Sequence, residues 1–140
     1  MTEIESSLVT YEFLKDAIEN AGVEAKIEHE KDRIVVQGLD VTCYVIINEE
    51  LNLLTIRTFI DCRDDAPIDE IPKLVCDLGR TKMVQFSYTV TDEGRIYIEG
   101  YYEIIYKYGF NKKNFLYSLR KFTSLFKDCF RFLDRYDDFF

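Results

Sequence analysis

The chain has 140 residues, 47% of them hydrophobic, which is the size and apolar content of one domain with a single core. Its net charge of −8 repels phosphate backbones and argues against nucleic-acid binding. No apolar run approaches the roughly 18 residues of a membrane span, and the acidic start lacks the basic segment of a signal peptide, so we expect a cytoplasmic protein outside the membrane.

The charge is distributed unevenly along the chain. Residues 1 to 100 carry 10 basic and 21 acidic side chains, net −11, whereas residues 101 to 140 carry 8 and 5, net +3. An acidic body and a basic C-terminal part can attract each other, within one chain or between two chains.

The N-terminal half predicts one helix followed by four strands. Leu14, Ala17, Ile18 and Ala21 repeat at helical spacing in a helix that Thr10 can cap and Gly22 can end. Alternating or β-branched residues then predict short strands at Lys26–His29, Arg33–Gln37, Val41–Ile47 and Leu53–Ile60. The segments between them are short enough for hairpin loops, so we expect antiparallel neighbours.

The C-terminal half predicts a helix, two strands and a long helix. The middle helix runs from Asp69, a plausible cap, to Leu78, and Gly79 ends it. Strands follow at about 84–90 and 96–105, joined by the turn 92–95. From Asn111 onward no Gly or Pro occurs, which predicts a helix of roughly 25 residues.

The resulting order is α-β-β-β-β-α-β-β-α in one domain over residues 1–140. Such an order predicts an α+β fold in which helices pack on one face of an antiparallel sheet.

Residues that could carry catalysis or bind a metal are sparse. His29 is the one histidine, and it lies on a predicted strand with no nucleophile nearby in sequence. The four cysteines form no CxxC pair, and we expect reduced core thiols. The acidic residues between Asp61 and Glu70 could hold a hard cation, but a solvated loop explains them better. We therefore expect no catalytic residue, no cofactor and no metal.

Aromatic residues suggest a binding surface, since 15 of the 21 Phe and Tyr residues lie between Tyr97 and Phe140. On the last strand, Tyr97 and Tyr101 would face away from the core. These rings either pack across strands or form a docking face. On the last helix the apolar arc exceeds half the circumference, which indicates a homodimer or a thick monomeric core. The candidate protein-binding or dimer residues are Tyr97, Tyr101, Phe122, Leu125, Cys129, Phe132 and Tyr136.

Beside that arc, Lys113, Arg120, Lys127 and Arg131 form a basic stripe. Because the protein is acidic overall, we interpret this stripe as a solvated helix edge rather than as a nucleic-acid contact. The sequence assigns no role to Phe139-Phe140.

The order of elements, and the segment from Ile71 through Tyr102 in particular, resembles the YbjN family of bacterial proteins. The shared pattern is a middle helix, a strand, the acidic-glycine turn Thr91-Asp92-Glu93-Gly94-Arg95, a second strand and a long final helix. That family shares its fold with the small, acidic, dimeric chaperones of type III secretion. The resemblance implies a non-enzymatic protein-binding module, usually dimeric.

Three functions remain in view. The first is a regulator or chaperone-type adaptor that binds another protein through sheet and long-helix surfaces, and the second is a type III secretion chaperone for an effector. The third, of another class, is a small-ligand-binding or enzymatic domain with an unrecognised site. A binding module should have an open apolar groove or dimer face, and an enzyme a closed pocket with converging polar groups.

Overall fold

The structure, a computed structural model, describes residues 3–80, 83–131, 133 and 135–140. It confirms the α+β class and the predicted order of elements, with one added helical turn at the C-terminus. The elements are α1 (Tyr11–Asn20), β1 (Glu24–Glu28), β2 (Arg33–Gln37), β3 (Cys43–Asn48), β4 (Leu53–Asp61), α2 (Ile71–Leu78), β5 (Gln85–Val90), β6 (Ile96–Ile105), α3 (Lys112–Arg131) and the single turn α4 (Tyr136–Phe139).

The first helix begins and ends at the predicted signals. The Thr10 side chain accepts a hydrogen bond from the backbone N–H of Phe13 at 3.1 Å, which caps α1. Gly22 follows the helix at a φ of +84°, a conformation that favours glycine. Leu14 and Ile18 are fully buried, so the apolar face of α1 lies against the sheet.

The middle helix begins two residues later than predicted. Asp69 lies in a 3-10 turn, Ile68–Glu70, and does not cap α2, which begins at Ile71. Pro72 lies in the first turn, where its missing N–H would have had no partner within the helix.

The six strands form one antiparallel sheet in the order β1-β2-β3-β4-β6-β5. The first four strands are consecutive neighbours, as predicted. The β6 strand lies between β4 and β5 and pairs with β4 from Leu53–Ile105 to Asp61–Tyr97. This position could not be read from the sequence, because the connection through α2 leaves either strand of the second hairpin free to pair with β4.

One face of the sheet packs against the helices. Alternate strand residues point to this face, among them Ile34, Val45, Leu54, Ile56 and Ile98, all fully buried. At the centre of β6, Gly100 leaves room for the ring of Phe126 on α3. A Cβ atom at residue 100 would lie 2.5 Å from Cδ2 of Phe126. The missing side chain therefore lets α3 approach the sheet closely.

The C-terminal helix is shorter than predicted, because α3 ends at Arg131 and the chain returns through α4. The backbone N–H of Arg63 donates to the carbonyl oxygen of Phe139 at 2.6 Å. Arg135 forms an ion pair with Glu70. Phe139 is buried, and the ring of Phe140 meets that of Phe130 edge to face at 5.2 Å. The burial of Phe139 and the partial burial of Phe140 favour this return of the chain end over an extension of α3.

We predict that Gly100→Ala destabilises the fold by about 1–3 kcal/mol, because the added methyl group overpacks the Phe126 contact. Urea denaturation measures this change. Phe126→Leu should cost less in the Gly100→Ala background than in the wild type, since the shorter side chain relieves the overlap. Additive costs in this double-mutant cycle would show that the two residues do not interact.

Candidate protein-binding site

The candidate residues lie on two sides of the sheet rather than on one surface. Tyr97 and Tyr101 are half-buried on the face opposite the helices. Leu125 and Cys129 are half-buried on the helix side and pack against the core, and Tyr136 is 39% exposed. Phe132 lies outside the described residues. The candidates are therefore divided between the open face of the sheet and the helix side.

Phe122 is a core residue and not a surface contact. Its side chain is fully buried, and its ring lies 6.3 Å from that of Phe126. Phe115, Leu119 and Phe130 on the same helix are also buried. The wide apolar arc of α3 is thus covered largely within the chain, by the sheet and the returning C-terminal residues. Of the two interpretations of that arc, a homodimer interface or a thick monomeric core, the thick core accounts for the burial of these residues.

The face opposite the helices carries a diagonal row of aromatic rings. Tyr44 stacks on Phe59 at 5.5 Å between ring centroids with an interplanar angle of 7°, and Phe59 lies 5.7 Å from Tyr97. The guanidinium group of Arg33 lies 4.0 Å above the ring of Tyr44. The register of β3, β4 and β6 assembles this row, so inspection of single strands could not find Tyr44 and Phe59.

Charged residues beside the aromatic row are paired. Arg57 forms an ion pair with Glu99 at 2.7 Å, and the register places Tyr101 directly opposite Arg57. Tyr97 and Tyr101 thus have cross-strand neighbours within the chain, as expected for exposed tyrosines that pack across strands. A docking role for these two residues stays a prediction.

An open apolar groove lies on the helix side of the sheet, where the C-terminal half of α3 passes the ends of β3 and β4. Its volume is about 500 Å³. The apolar lining residues are Val41, Ile60, Phe126, Phe130, Leu133 and Tyr136. Lys127 and Arg131, two members of the predicted basic stripe, lie on its rim and are exposed.

The sequence identified only part of this groove. Tyr136 and the two basic residues were singled out there, and the wide apolar arc of the last helix was predicted without a groove. Val41 and Ile60 were missed because they lie far away in sequence, near strand ends with no local signal of a site. The register of β3 with β4 brings them to α3.

A second cleft, of about 580 Å³, lies between α2 and the C-terminal residues. Its rim carries charges of both signs, and these pair with one another: Arg80 with Asp77 at 3.4 Å, and Arg135 with Glu70. The Arg135 side chain donates hydrogen bonds to Glu70 and so lowers the pKa of that carboxyl. Of the two, the Arg135–Glu70 pair joins the start of α2 to the C-terminal residues, whereas the Arg80–Asp77 pair is local.

Acidic residues between Asp61 and Glu70 also form ion pairs with arginines. Asp61 lies 3.2 Å from Arg95, and Asp65 lies 3.1 Å from Arg63. Within the described residues, no group of three or more His, Cys, Asp or Glu side chains could hold a metal ion.

His29 is exposed in a 3-10 turn, His29–Lys31, rather than on the predicted strand. Strand β1 ends at Glu28, one residue earlier than expected. The imidazole therefore stands in solvent at the edge of the molecule, away from the groove and the cleft.

No disulfide joins the four cysteines, all of which lie within the described residues, and their surroundings differ. Cys43 is buried in the core, and burial raises the pKa of its thiol to about 12. Desolvation also raises the pKa of Cys62. Both shifts disfavour the reactive thiolate, as in a structural cysteine.

Comparison with solved structures finds a close match in fold. The crystal structure of YbjN from E. coli superposes with a TM-score of 0.73 over 86% of this chain and 88% of that chain, at 9% sequence identity. The chain has a YbjN-like fold. The sequence itself matches no protein-family model and has no significant match among curated proteins.

YbjN is described as a candidate transcription regulator, not as an enzyme. At 9% identity the likeness concerns the fold alone. Among the described residues, no helix has the length and apolar character needed to cross a membrane.

We predict that Phe122→Ala lowers the free energy of unfolding by about 3–5 kcal/mol, because it removes a fully buried ring from the centre of the YbjN-like core. Tyr117→Ala on the same helix is the matched control. That side chain is 66% exposed, so its loss should change stability by no more than about 0.5 kcal/mol. Equal costs for the two variants in thermal or urea unfolding would contradict the assignment of Phe122 to the core.

Proposed function

We propose that this protein is a non-enzymatic YbjN-like binding module, and that the groove beside α3 captures an acidic amphipathic segment of another protein. The observation that carries the proposal is the combination of an open apolar groove with a basic rim in a chain of net charge −8.

The floor of the groove supports an apolar contact. Phe126 and Phe130 form its base, and Ile60 and Tyr136 stand at its sides. Both phenylalanine rings are buried, so the accessible apolar surface belongs to the half-buried Ile60 and Leu133 and to Tyr136. Tyrosine is one of the residue types enriched at protein interfaces. The groove is open to solvent, as expected for a site that receives part of another chain rather than a small enclosed substrate.

The positive charge of the rim indicates that the partner segment is acidic. Lys127 and Arg131 would lie beside acidic side chains that flank the partner's apolar residues, and such complementarity favours both encounter and register. Arg131 also forms an ion pair with Asp128 of the same chain at 3.6 Å. Both side chains are exposed, so an acidic residue of the partner can compete with Asp128 for Arg131.

The chemistry of the other candidate sites supports a binding role over catalysis. The histidine is exposed away from both concave sites, and the acidic side chains at the cleft and after β4 pair with arginines. Two roles would use this groove. One is a regulator that acts by binding another protein, and YbjN is described as a candidate transcription regulator. The other is a chaperone-type adaptor for an effector.

We predict that a synthetic amphipathic peptide of about 16 residues, with leucines on one face and glutamates on the other, binds the groove. Lys127→Glu combined with Arg131→Glu should weaken the affinity at least about tenfold, because like charges then meet at the rim. Fluorescence anisotropy with a labelled peptide measures the affinity of each variant.

Two controls define the outcome. Lys113→Glu with Lys121→Glu makes the same charge change on α3 away from the groove lining, and it should leave the affinity nearly unchanged. The same peptide with lysines in place of glutamates should bind more weakly to the wild type. Equal affinity for both peptides, or equal losses in the two double variants, would refute the proposed site.

A further inference from the structure

The last residues of the chain have the chemistry that the groove is proposed to bind. Tyr136, Phe139 and Phe140 follow one another at the i, i+3, i+4 spacing of one helix face, and α4 forms a helical turn there. Asp137 and Asp138 lie between them and are exposed. Residues 136–140 are therefore a short acidic amphipathic segment, which we call the tail.

The tail covers one end of the groove. The ring of Phe140 lies 5.2 Å from the ring of Phe130 and 5.2 Å from that of Tyr136. Phe130 belongs to the floor of the groove and is only 8% exposed, and Tyr136 stands at its side. Displacement of the tail would uncover the Phe130 ring, an aromatic anchor of the kind that binding sites use.

Few contacts hold the tail in place. Within the part of the chain that the structure describes, one backbone hydrogen bond joins it to a residue outside the region 133–140, from the N–H of Arg63 to Phe139 at 2.6 Å. The Arg63 side chain also donates to the carbonyl oxygen of Asp137 at 2.7 Å. Arg135, directly before the tail, pairs with Glu70, and both side chains are about half exposed. Because exposed ion pairs contribute little, the buried Phe139 ring is the main attachment.

We propose that the tail is an autoinhibitory segment, and that the acidic amphipathic segment of the partner binds by displacing its rings from Phe130. This inference rests on the proposed function and adds the regulation of the same site. The tail is attached to the chain, so its effective concentration at the groove is high. The apparent affinity for the partner is reduced accordingly, because only chains with a displaced tail offer the full groove.

The basic rim gives the partner contacts that add to those of the tail. Among the described residues, the ion pairs of the tail and of the rim are separate: Asp138 pairs with Arg135 at 2.6 Å, and Arg131 with Asp128 at 3.6 Å. A longer partner segment would place one apolar side chain on the uncovered floor and its acidic side chains beside Lys127 and Arg131. Charge complementarity at the rim then favours the partner over the tail.

Fluorescence anisotropy with the labelled leucine–glutamate peptide tests the proposal on the full chain. Phe139→Ser combined with Phe140→Ser gives an opened variant, which should bind the peptide at least about tenfold more tightly because the tail no longer competes. The two substitutions leave the charge unchanged, so electrostatic attraction cannot produce the gain. A weaker affinity would show that the two rings belong to the surface that the peptide binds, and would overturn the proposal.

A second variant leaves the buried ring in place. Glu70→Arg sets like charges against Arg135 and should raise the affinity at least about threefold. Glu12→Arg is the matched control, since it makes the same charge change at the exposed start of α1. The neighbouring Tyr11 hydroxyl accepts a hydrogen bond from Ile47, at the end of β3 away from the groove. Equal gains in the two variants would assign the effect to net charge and contradict an inhibitory tail.

The amide of Arg63 reports the position of the tail directly, because its N–H donates to Phe139. In the wild type, saturating peptide should make this amide exchange at least about tenfold faster, although binding normally protects amides. Unchanged or slower exchange at saturation would show that the peptide binds beside a docked tail, and would reject displacement.

The outcomes separate this inference from the proposed function. A peptide that binds the wild type and the opened variant equally, yet is weakened by Lys127→Glu with Arg131→Glu, would keep the groove as the site and reject the tail as its inhibitor. A peptide that binds neither chain would reject both. A Glu70→Arg variant that gains no affinity but sediments as a dimer would show that the displaced tail enters a second copy, and would reject the partner as the occupant.

Discussion

The ring of Phe126 packs against the backbone of Gly100, and this close approach determines where α3 lies over the sheet. From that position Phe115, Phe122 and Phe130 fill the space between helix and strands, and Phe130 meets Phe140 of the returning chain end. The groove also depends on the contact, because Phe126 and Phe130 form its floor while Ile60 and Val41 come from the strands. A helix held farther from the sheet would not form the same groove.

Much of the fold could be predicted because its signals are local. The Thr10 cap, the alternation along β6 and the turn at Gly94 each depend on a few neighbouring residues, and the structure contains all three. The position of β6 between β4 and β5, and the end of α3 at Arg131, depend on contacts between distant segments. The Arg63–Phe139 hydrogen bond joins residues far apart in sequence, and periodicity carries no information about it.

Only part of the candidate site could be predicted from the sequence. Apolar periodicity identified the α3 arc but could not tell a buried ring from an exposed one, so Phe122 was offered as a contact although it is fully buried. The basic stripe was regarded as a solvated edge, yet Lys127 and Arg131 border the groove. Their significance depends on Val41 and Ile60, which strand register brings to α3. The groove is thus a property of the tertiary arrangement rather than of one segment.

The central claim is that the groove beside α3, and not the aromatic face of the sheet, receives the partner. It is tested most directly by chemical-shift mapping on isotope-labelled protein during titration with the acidic amphipathic peptide. The account predicts shifts concentrated at Val41, Ile60 and Tyr136, with Tyr97 and Tyr101 unchanged. Shifts confined to Tyr97 and Tyr101, or no shifts at saturating peptide, would contradict it.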